Sequence, residues 1–413
     1  MSTELKINKY LPIAFIYFFV NGLFLPTGLF YTSLFCPLFL LWLFNNKQGN
    51  LIFWFFAATI PFVIIHLANG VKTASYIKSY GLFFSVFVFC CCYYTFLKQN
   101  KSITYIFRQL LLWNSIFLVV AILELYFTGG LVLWDETTIT TGGNNVLRLK
   151  MLASEASVYA LILSPIAFYY YLKMLLFKVK NAFWIFILIT VPLCLSVSFG
   201  VILGLLFTFI ILLLSDVKLF FIKRKFPRYL LTALLLLFCT IVVFIYVYPD
   251  NVIFKRFVNI FEGSDSSFKG RTTDSFYLGF LIADMKSMLF GAGFGQIKEL
   301  GMDLFTKFYQ NEYTKDTIAI PNVIGETLAI FGLSGLFIRF VVIIYLFFKT
   351  KVYTNYYRLG LFIFIFIYQF TGSYITNVSE YILWITAFTA GFHQFDKTSV
   401  HQKDKVSFEV QRL

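Results

Sequence analysis

The sequence predicts an all-α polytopic membrane protein of about 12 transmembrane helices, with both termini cytoplasmic and two larger extracytoplasmic loops. Three observations carry that prediction. The chain is 59% hydrophobic and only 13% charged, with a mean hydropathy of +0.80. Unbroken apolar runs recur from Leu11 to Phe392, where a membrane β-barrel would show short alternating segments. Lysine and arginine also cluster in alternate loops, the pattern that holds those loops on the cytoplasmic side.

The span count follows from length. A helix needs about 20 residues to cross ~30 Å of hydrocarbon, so the 34-residue run Leu11 to Phe44 would be ~50 Å long as one helix. It must fold back, and Asn21-Gly22 with Pro26-Thr27-Gly28 supplies the break. The run Phe183 to Ser215 divides in the same way at Ser196 to Gly200. The other candidate spans are 51–68, 76–97, 105–128, 155–177, 229–249, 322–348, 358–376 and 380–393. Lys6 and Lys9 precede an apolar run too long for a signal-peptide core and without a small-residue cleavage site, so the first span is expected to stay.

Orientation then reads from the loops. With the N-terminus inside, the inner segments hold Lys6 and Lys9; Lys47; Lys98 and Lys101; Lys178 and Lys180; Lys218, Lys223, Arg224, Lys225 and Arg228; Lys349, Lys351 and Arg358; and Lys397, Lys403, Lys405 and Arg412. Only the outer loop 69–80, with Lys72 and Lys78, runs against the rule. The long outer loop has eight Lys/Arg against nine Asp/Glu and adds nothing to the formal +14. The net charge is therefore a topology signal and implies no nucleic acid. Were either long run a single span, every later loop would change sides.

The chain is thus read as one integral membrane domain over 1–413, with outer loops at 129–154 and 250–320 and a cytoplasmic tail at 394–413. All six cysteines fall in apolar runs without metal-ligand spacing and are expected to pack as small hydrophobes. No cofactor and no metal is expected, because the outer loops carry no cluster of ligands. His66 is expected to make an interhelical hydrogen bond. Arg339, deep in its span, is expected to face the bundle interior in a pair, and Glu124 and Glu380 to reach water at outer ends.

The long loop is the polar centre of the chain. It reads Lys269-Gly270-Arg271-Thr272-Thr273-Asp274, then a helix-like run to Met288 with Phe276, Phe280, Leu281, Met285 and Met288 at near-helical spacing. This predicts an amphipathic helix at headgroup level with Asp274 in its first turn. Gly291-Ala292-Gly293-Phe294-Gly295 follows; it lacks the flanking strand and helix of a dinucleotide site and predicts a tight turn. The first loop holds Arg148 and Lys150 and leads into Ser154-Glu155-Ala156-Ser157 at a span's outer end.

These residues carry a resemblance. Arg148 with Ser154-Glu155-x-Ser157-x-x-Ala160 resembles the Arg…S-E-P-S-x-x-A element of O-antigen and capsular polysaccharide repeat-unit polymerases, with Ala156 where that family has Pro. Gly270-Arg271-Thr272, Leu289-Phe290-Gly291-x-Gly293-Phe294-Gly295, Asn322 and Gly332-x-x-Gly335 are similar to that family's second outer loop and following span. O-antigen ligases, the sister group of the same superfamily, carry His beside the Asn and Ser-Arg-Gly at an earlier break. Here Pro321 precedes Asn322, and Ser198-Phe199-Gly200 stands at the break.

The resemblance implies a glycosyltransferase of the bacterial inner (cytoplasmic) membrane. It would move a glycan from an undecaprenyl-diphosphate carrier to the next lipid-linked repeat unit on the outer face, in O-antigen, lipopolysaccharide, capsule or exopolysaccharide synthesis. Its partners would be the lipid-linked glycans, the bilayer, a chain-length regulator and a flippase. The other functions weighed are an O-antigen ligase and a lipid-linked oligosaccharide flippase or transporter. The residues suit the chemistry independently. A diphosphate leaving group needs fixed cations, and the arginine fork pairs phosphate oxygens bidentately, which points to Arg148 and Arg271, supplemented by Lys150, Arg256 and Lys269. An oxocarbenium-like transition state needs a carboxylate near the acceptor hydroxyl. Glu155 is the first candidate and Asp274 and Glu326 the reserves, with Asn322 beside them as a substrate-binding candidate.

Overall fold

The computed structural model describes residues 11–21, 24–25, 29–99, 103–127, 132–138, 145–216, 258–259, 262–263, 265–310, 312–315 and 317–401. The chain is largely helical. Its helices are α1 (Leu11–Phe19), α2 (Tyr31–Asn45), α3 (Asn50–Ala68), α4 (Thr73–Gln99), α5 (Ile103–Phe127), α6 (Ala156–Leu176), α7 (Ala182–Leu195) and α8 (Phe199–Ser215). After a single turn at Ser266–Lys269 come α9 (Ser275–Asp284), α10 (Gln296–Tyr309), α11 (Val323–Lys349), α12 (Tyr356–Tyr368) and α13 (Val378–Phe388). Five of them, α3, α4, α5, α6 and α11, are long and apolar enough to cross a membrane, and the others that fall on candidate spans are shorter. The candidate at 229–249 lies outside the described residues.

The outer surface agrees with a lipid solvent. Phe53, Trp54, Ile60 and Ile64 on α3, Leu112, Ile116, Val119 and Leu123 on α5, and Phe337, Val341, Ile344 and Phe348 on α11 are all exposed. Apolar ridges of this extent in water would drive aggregation, whereas hydrocarbon leaves them at no cost. Inside, α6 is buried nearly all round, from Ala156 to Leu176, and serves as the central post. Tyr357 of α12 donates its hydroxyl to the Pro165 carbonyl at 2.9 Å, and the Leu161 carbonyl, which the proline ring leaves without its amide donor, accepts from the Ser164 hydroxyl at 2.7 Å.

Several expectations change. The segment expected to be the first outer loop carries strand: β3 (Trp134–Thr138) and β4 (Asn145–Leu149) form an antiparallel hairpin in which Asp135 faces Arg148. A second short pair, β1 (Phe24–Leu25) with β2 (Leu29–Phe30), follows α1, so the fold is helical but not free of strand. The helix expected to run to Met288 ends at Asp284. This helix, α9, packs backbone to backbone on α11, because Gly279 and Gly325 leave no side chain between them; a Cβ on Gly279 would stand 2.4 Å from the Gly325 carbonyl oxygen. The helix with an apolar stripe over a polar face is α10, which buries Ile297, Gly301 and Phe305.

The span opening at Asn322 is broken. Gly332 in α11 has φ 65° and ψ −164°, a conformation essentially reserved for glycine. The backbone groups freed by the break are taken up by the glycine turn. Ala292 and Gly293 donate to the carbonyls of Ala329 (2.8 Å) and Ile330 (3.0 Å), and Leu333 and Ser334 donate to those of Met288 and Leu289, both at 3.0 Å. Non-helical backbone at membrane depth survives only with such partners. The turn itself is tight as expected, with positive φ at Gly291, Gly293 and Gly295. His66 locks it: Nδ1 meets the Tyr76 hydroxyl of α4 at 3.0 Å, and Nε2 meets the Phe290 carbonyl at 2.8 Å.

Candidate functional site

The site forms where the N-terminal ends of α6 and α11 and the C-terminal end of α12 meet the turn before α9. Glu155 sits just ahead of α6 in extended conformation, φ −149° and ψ 162°. It is half-buried and accepts a hydrogen bond from the Ser157 hydroxyl. Arg271 lies in a single wide turn, Gly270–Asp274, that leads into α9. Its guanidinium makes no hydrogen bond or ion pair among the described residues, although it is half-buried. Both charges act on the same two phenols: Arg271 and Glu155 lie within electrostatic reach of the Tyr368 and the Tyr374 hydroxyls. A cation and a carboxylate far apart in the chain thus lie within reach of the same two side chains.

Asn322 sets the position of Arg271. It is wholly buried and caps α11, its Oδ1 accepting from the amides of Ile324 (2.9 Å) and Gly325 (3.0 Å). Its Nδ2 donates to the Arg271 carbonyl at 2.8 Å and to the Phe370 carbonyl at 2.5 Å. With two acceptor and two donor bonds made, the side chain has no capacity left for a substrate. Its role is to join the Arg271 turn, α11 and the end of α12.

Arg148 approaches from the hairpin. Its Nε donates to the Ser196 carbonyl at 3.1 Å, at the break between α7 and α8. That break adjoins the phenols, since a Cβ on Gly200 would lie 3.7 Å from Tyr368 Cε2. Lys150 follows on the same hairpin, half-buried, its amide held by the Leu133 carbonyl at 3.0 Å. Lys269 is exposed one turn before Arg271, and Arg256 lies outside the described residues.

The reserve carboxylates separate. Asp274 is buried and faces away toward α10, where Tyr309 donates to its Oδ2 and Thr273 to its Oδ1, each at 3.3 Å. Burial and the Asp274 charge push the Tyr309 phenol well above its ordinary range. Glu326, in the first turn of α11, accepts from the Ile375 amide at 2.6 Å and also lies within reach of Tyr374.

Behind Glu326 is a polar cluster between membrane helices. Arg339 pairs with Glu380, and its Nε and Nη2 each lie 3.3 Å from Gln369 Oε1. The expected interior pairing of Arg339 is thus observed, but Glu380 does not reach water: it is entirely buried. The cost of burying one charge is offset only by a close partner, and Arg339 is that partner. Glu124 is likewise buried and accepts from the Val132 and Leu133 amides. Among the described residues, the buried Glu380 Oε2 and Gln369 Nε2, and Ser373 Oγ in the turn after α12, have no hydrogen-bond partner. Among the described residues, no group of three or more His, Cys, Asp or Glu is placed to hold a metal.

Tyr368 and Tyr374 were not singled out in the sequence, because 358–376 reads there as one span. In the structure α12 stops at Tyr368, and residues 369–377 form a polar turn with Ser373 at φ 73°. The density of polar residues in Gln369-Phe370-Thr371-Gly372-Ser373-Tyr374 was the available signal.

No protein-family model matches this chain, and no curated protein matches it significantly.

Proposed function

We propose that the chain polymerises lipid-linked oligosaccharide repeat units, transferring a glycan from an undecaprenyl-diphosphate carrier to the next lipid-linked unit at the outer face of a bacterial inner membrane. In this reading it has twelve spans with both termini inside, and Arg271, Glu155 and the hairpin of Arg148 lie together on the outer side. The observation that carries it is the guanidinium of Arg271, without a hydrogen-bond or ion-pair partner among the described residues and within electrostatic reach of the same Tyr368 and Tyr374 hydroxyls as the Glu155 carboxylate. A half-buried cation without an anion invites one from outside, and a carboxylate beside it supplies a base.

In the proposed reaction the anomeric carbon to diphosphate oxygen bond breaks as the acceptor hydroxyl oxygen bonds to that carbon. Glu155 takes the hydroxyl proton, and the diphosphate leaves with its new charge held by Arg271 and Arg148, supplemented by Lys150, Lys269 and Arg256. Stabilising charge that develops at the leaving group lowers the barrier itself.

A second reading, a flippase, is favoured by the Arg339, Glu380, Gln369 and Glu326 cluster, because charged groups among membrane helices mark transport paths as often as structural pairs. One experiment separates the two. Arg271→Ala and Glu155→Gln are introduced in a strain dependent on this protein, and surface glycan length is read with protein level. Loss of one charge-assisted contact worth ~1.5–3 kcal/mol should cut turnover roughly ten- to hundredfold, leaving single repeat units outside. Repeat units stranded inside would support the flippase; long polymer lacking its final acceptor would indicate a ligase. Normal chains at normal expression would remove Arg271 and Glu155 from the site.

A further inference from the structure

The opposite ends of the same helices enclose a second concavity. Thr350 closes α11, Asn355 opens α12 and caps it through Oδ1 to the Arg358 amide at 3.0 Å, and the chain after α13 returns at His393 to Thr398. Between them is an open cleft of about 460 Å³ lined by Lys351, Tyr353, Arg358, His393, Asp396 and Lys397. Three fixed cations face one carboxylate, a net of +2 with His393 neutral.

That carboxylate is already occupied. Asp396 Oδ1 accepts from Asn355 Nδ2 at 2.7 Å, and Oδ2 meets His393 Nδ1 at 3.1 Å. Arg358 forms the wall: Nε donates to the Ala387 carbonyl (2.9 Å) and Nη2 to those of Thr350 (2.8 Å) and Phe388 (3.2 Å). It therefore holds its charge across the C-terminal ends of two helices. The two ammonium groups remain. Among the described residues, Lys397 Nζ meets only the Tyr356 ring, at 5.4 Å, and Lys351 Nζ has no hydrogen-bond or ion-pair partner.

An apolar ridge on α11 ends at Phe348, two residues before Thr350 of the cleft lining. Val341, Ile344, Tyr345 and Phe348, at i, i+3, i+4 and i+7 on α11, share one face and are all exposed, Phe348 at 63%. The geometry points to a binding site for one anionic phospholipid, its phosphate between Lys351, Lys397 and Arg358 and its acyl chains along this ridge. A soluble anion would use the cations and leave the ridge bare, whereas a phosphate-bearing lipid matches both. Basic pockets between membrane helices take anionic headgroups by this chemistry.

The test uses the full-length protein in lipid nanodiscs of phosphatidylglycerol or phosphatidylcholine, released for native mass spectrometry. One retained phosphatidylglycerol per chain is expected, with phosphatidylcholine lost. Lys351→Ala with Lys397→Ala should weaken retention roughly thirtyfold, as for two cations near an anionic headgroup, and Lys351→Arg with Lys397→Arg should restore it. Lys351 is exposed and Lys397 half-buried, and a thermal melt of each variant checks that a loss is not unfolding. Should the double alanine variant fail to purify, Lys351→Glu alone reports the same quantity. Equal retention of both lipids, unchanged retention in the variants, or displacement of the lipid by millimolar inorganic phosphate would overturn the proposal.

Discussion

Asn322 donates its side-chain amide to the carbonyl of Arg271 at 2.8 Å, so the residue that opens a broken membrane helix also fixes the backbone beneath a guanidinium that has no ion pair among the described residues. This link makes the cap and the site separable by mutation. Asn322→Asp keeps the acceptor that caps α11 and loses both donors, whereas Asn322→Ala loses all four bonds. Loss of the cap costs ~1 kcal/mol in the alanine variant, and in the aspartate variant a buried carboxyl oxygen faces two carbonyls and costs at least as much, so both should melt below the wild type. Polymer length should collapse in both, since both release the Arg271 turn. Wild-type polymer from Asn322→Asp would show that the bond to Arg271 has no bearing on activity.

The break in α11 should be intolerant of side chains. A Cβ on Gly332 would stand 2.5 Å from the Leu289 backbone, and one on Gly291 would stand 2.3 Å from the Ile330 carbonyl oxygen. Alanine at either position must also adopt a positive φ, so each should cost ~1–3 kcal/mol or more. Gly263 is the control, with φ 69° and open space around it. Thermal melts in detergent should rank Gly332→Ala and Gly291→Ala well below Gly263→Ala. Three equal melts would mean that the turn does not pack on the break.

The long loop should loosen at low pH. Glu299 of α10 accepts from Lys315 (2.7 Å), from the Ser75 hydroxyl (2.7 Å) and from Lys72 (3.2 Å). These partners, Lys315 and then Ser75 first, hold its carboxyl down at about 2, against an ordinary 4.5. A depressed folded-state value means that the clamp acts fully above 4.5 and is lost as pH falls from there through about 2. Protease nicking within 296–315 should rise across that window in the wild type. In Glu299→Gln it should be high already at pH 7 and change little; a pH response equal to the wild type's would assign the effect to another group.

A topology reporter inserted within 264–268 should behave as extracytoplasmic, and one within 223–228 as cytoplasmic. The charge pattern demands opposite sides, because the basic stretch Lys223-Arg224-Lys225 resists export and one candidate span separates the two positions. The same side for both would remove the span at 229–249 and invert every later loop.

How much of this was legible beforehand differs from residue to residue. That Arg339 turns inward and that His66 bonds across helices could be read from sequence, because burying a charge or an imidazole in hydrocarbon leaves few alternatives. The turn at Gly291 to Gly295 was legible for a similar reason: few other residues adopt positive φ so readily. The match of Arg148, Glu155 and Arg271 to a motif nominated site residues, but could not say that Asn322 is spent on the backbone or that Asp274 faces Tyr309. Those outcomes depend on which carbonyl or hydroxyl arrives within 3 Å, and no local pattern encodes a neighbour 35 or 51 residues away.

The sequence by itself determined the solvent and the element type. Apolar runs must become helices because hydrocarbon offers the backbone no other partner, and charged loops must stay outside it. Only the tertiary structure decided where those helices break and what the breaks bring together. Gly332 is one small residue among many until the turn of Met288 to Gly293 supplies the hydrogen bonds its break requires. Tyr368 and Tyr374 belong to an apparent span until α12 ends between them. Helix formation is a matter of each residue's own backbone and solvent, whereas Arg271 and Glu155 reach the same two phenols only through packing, which no stretch of chain contains alone.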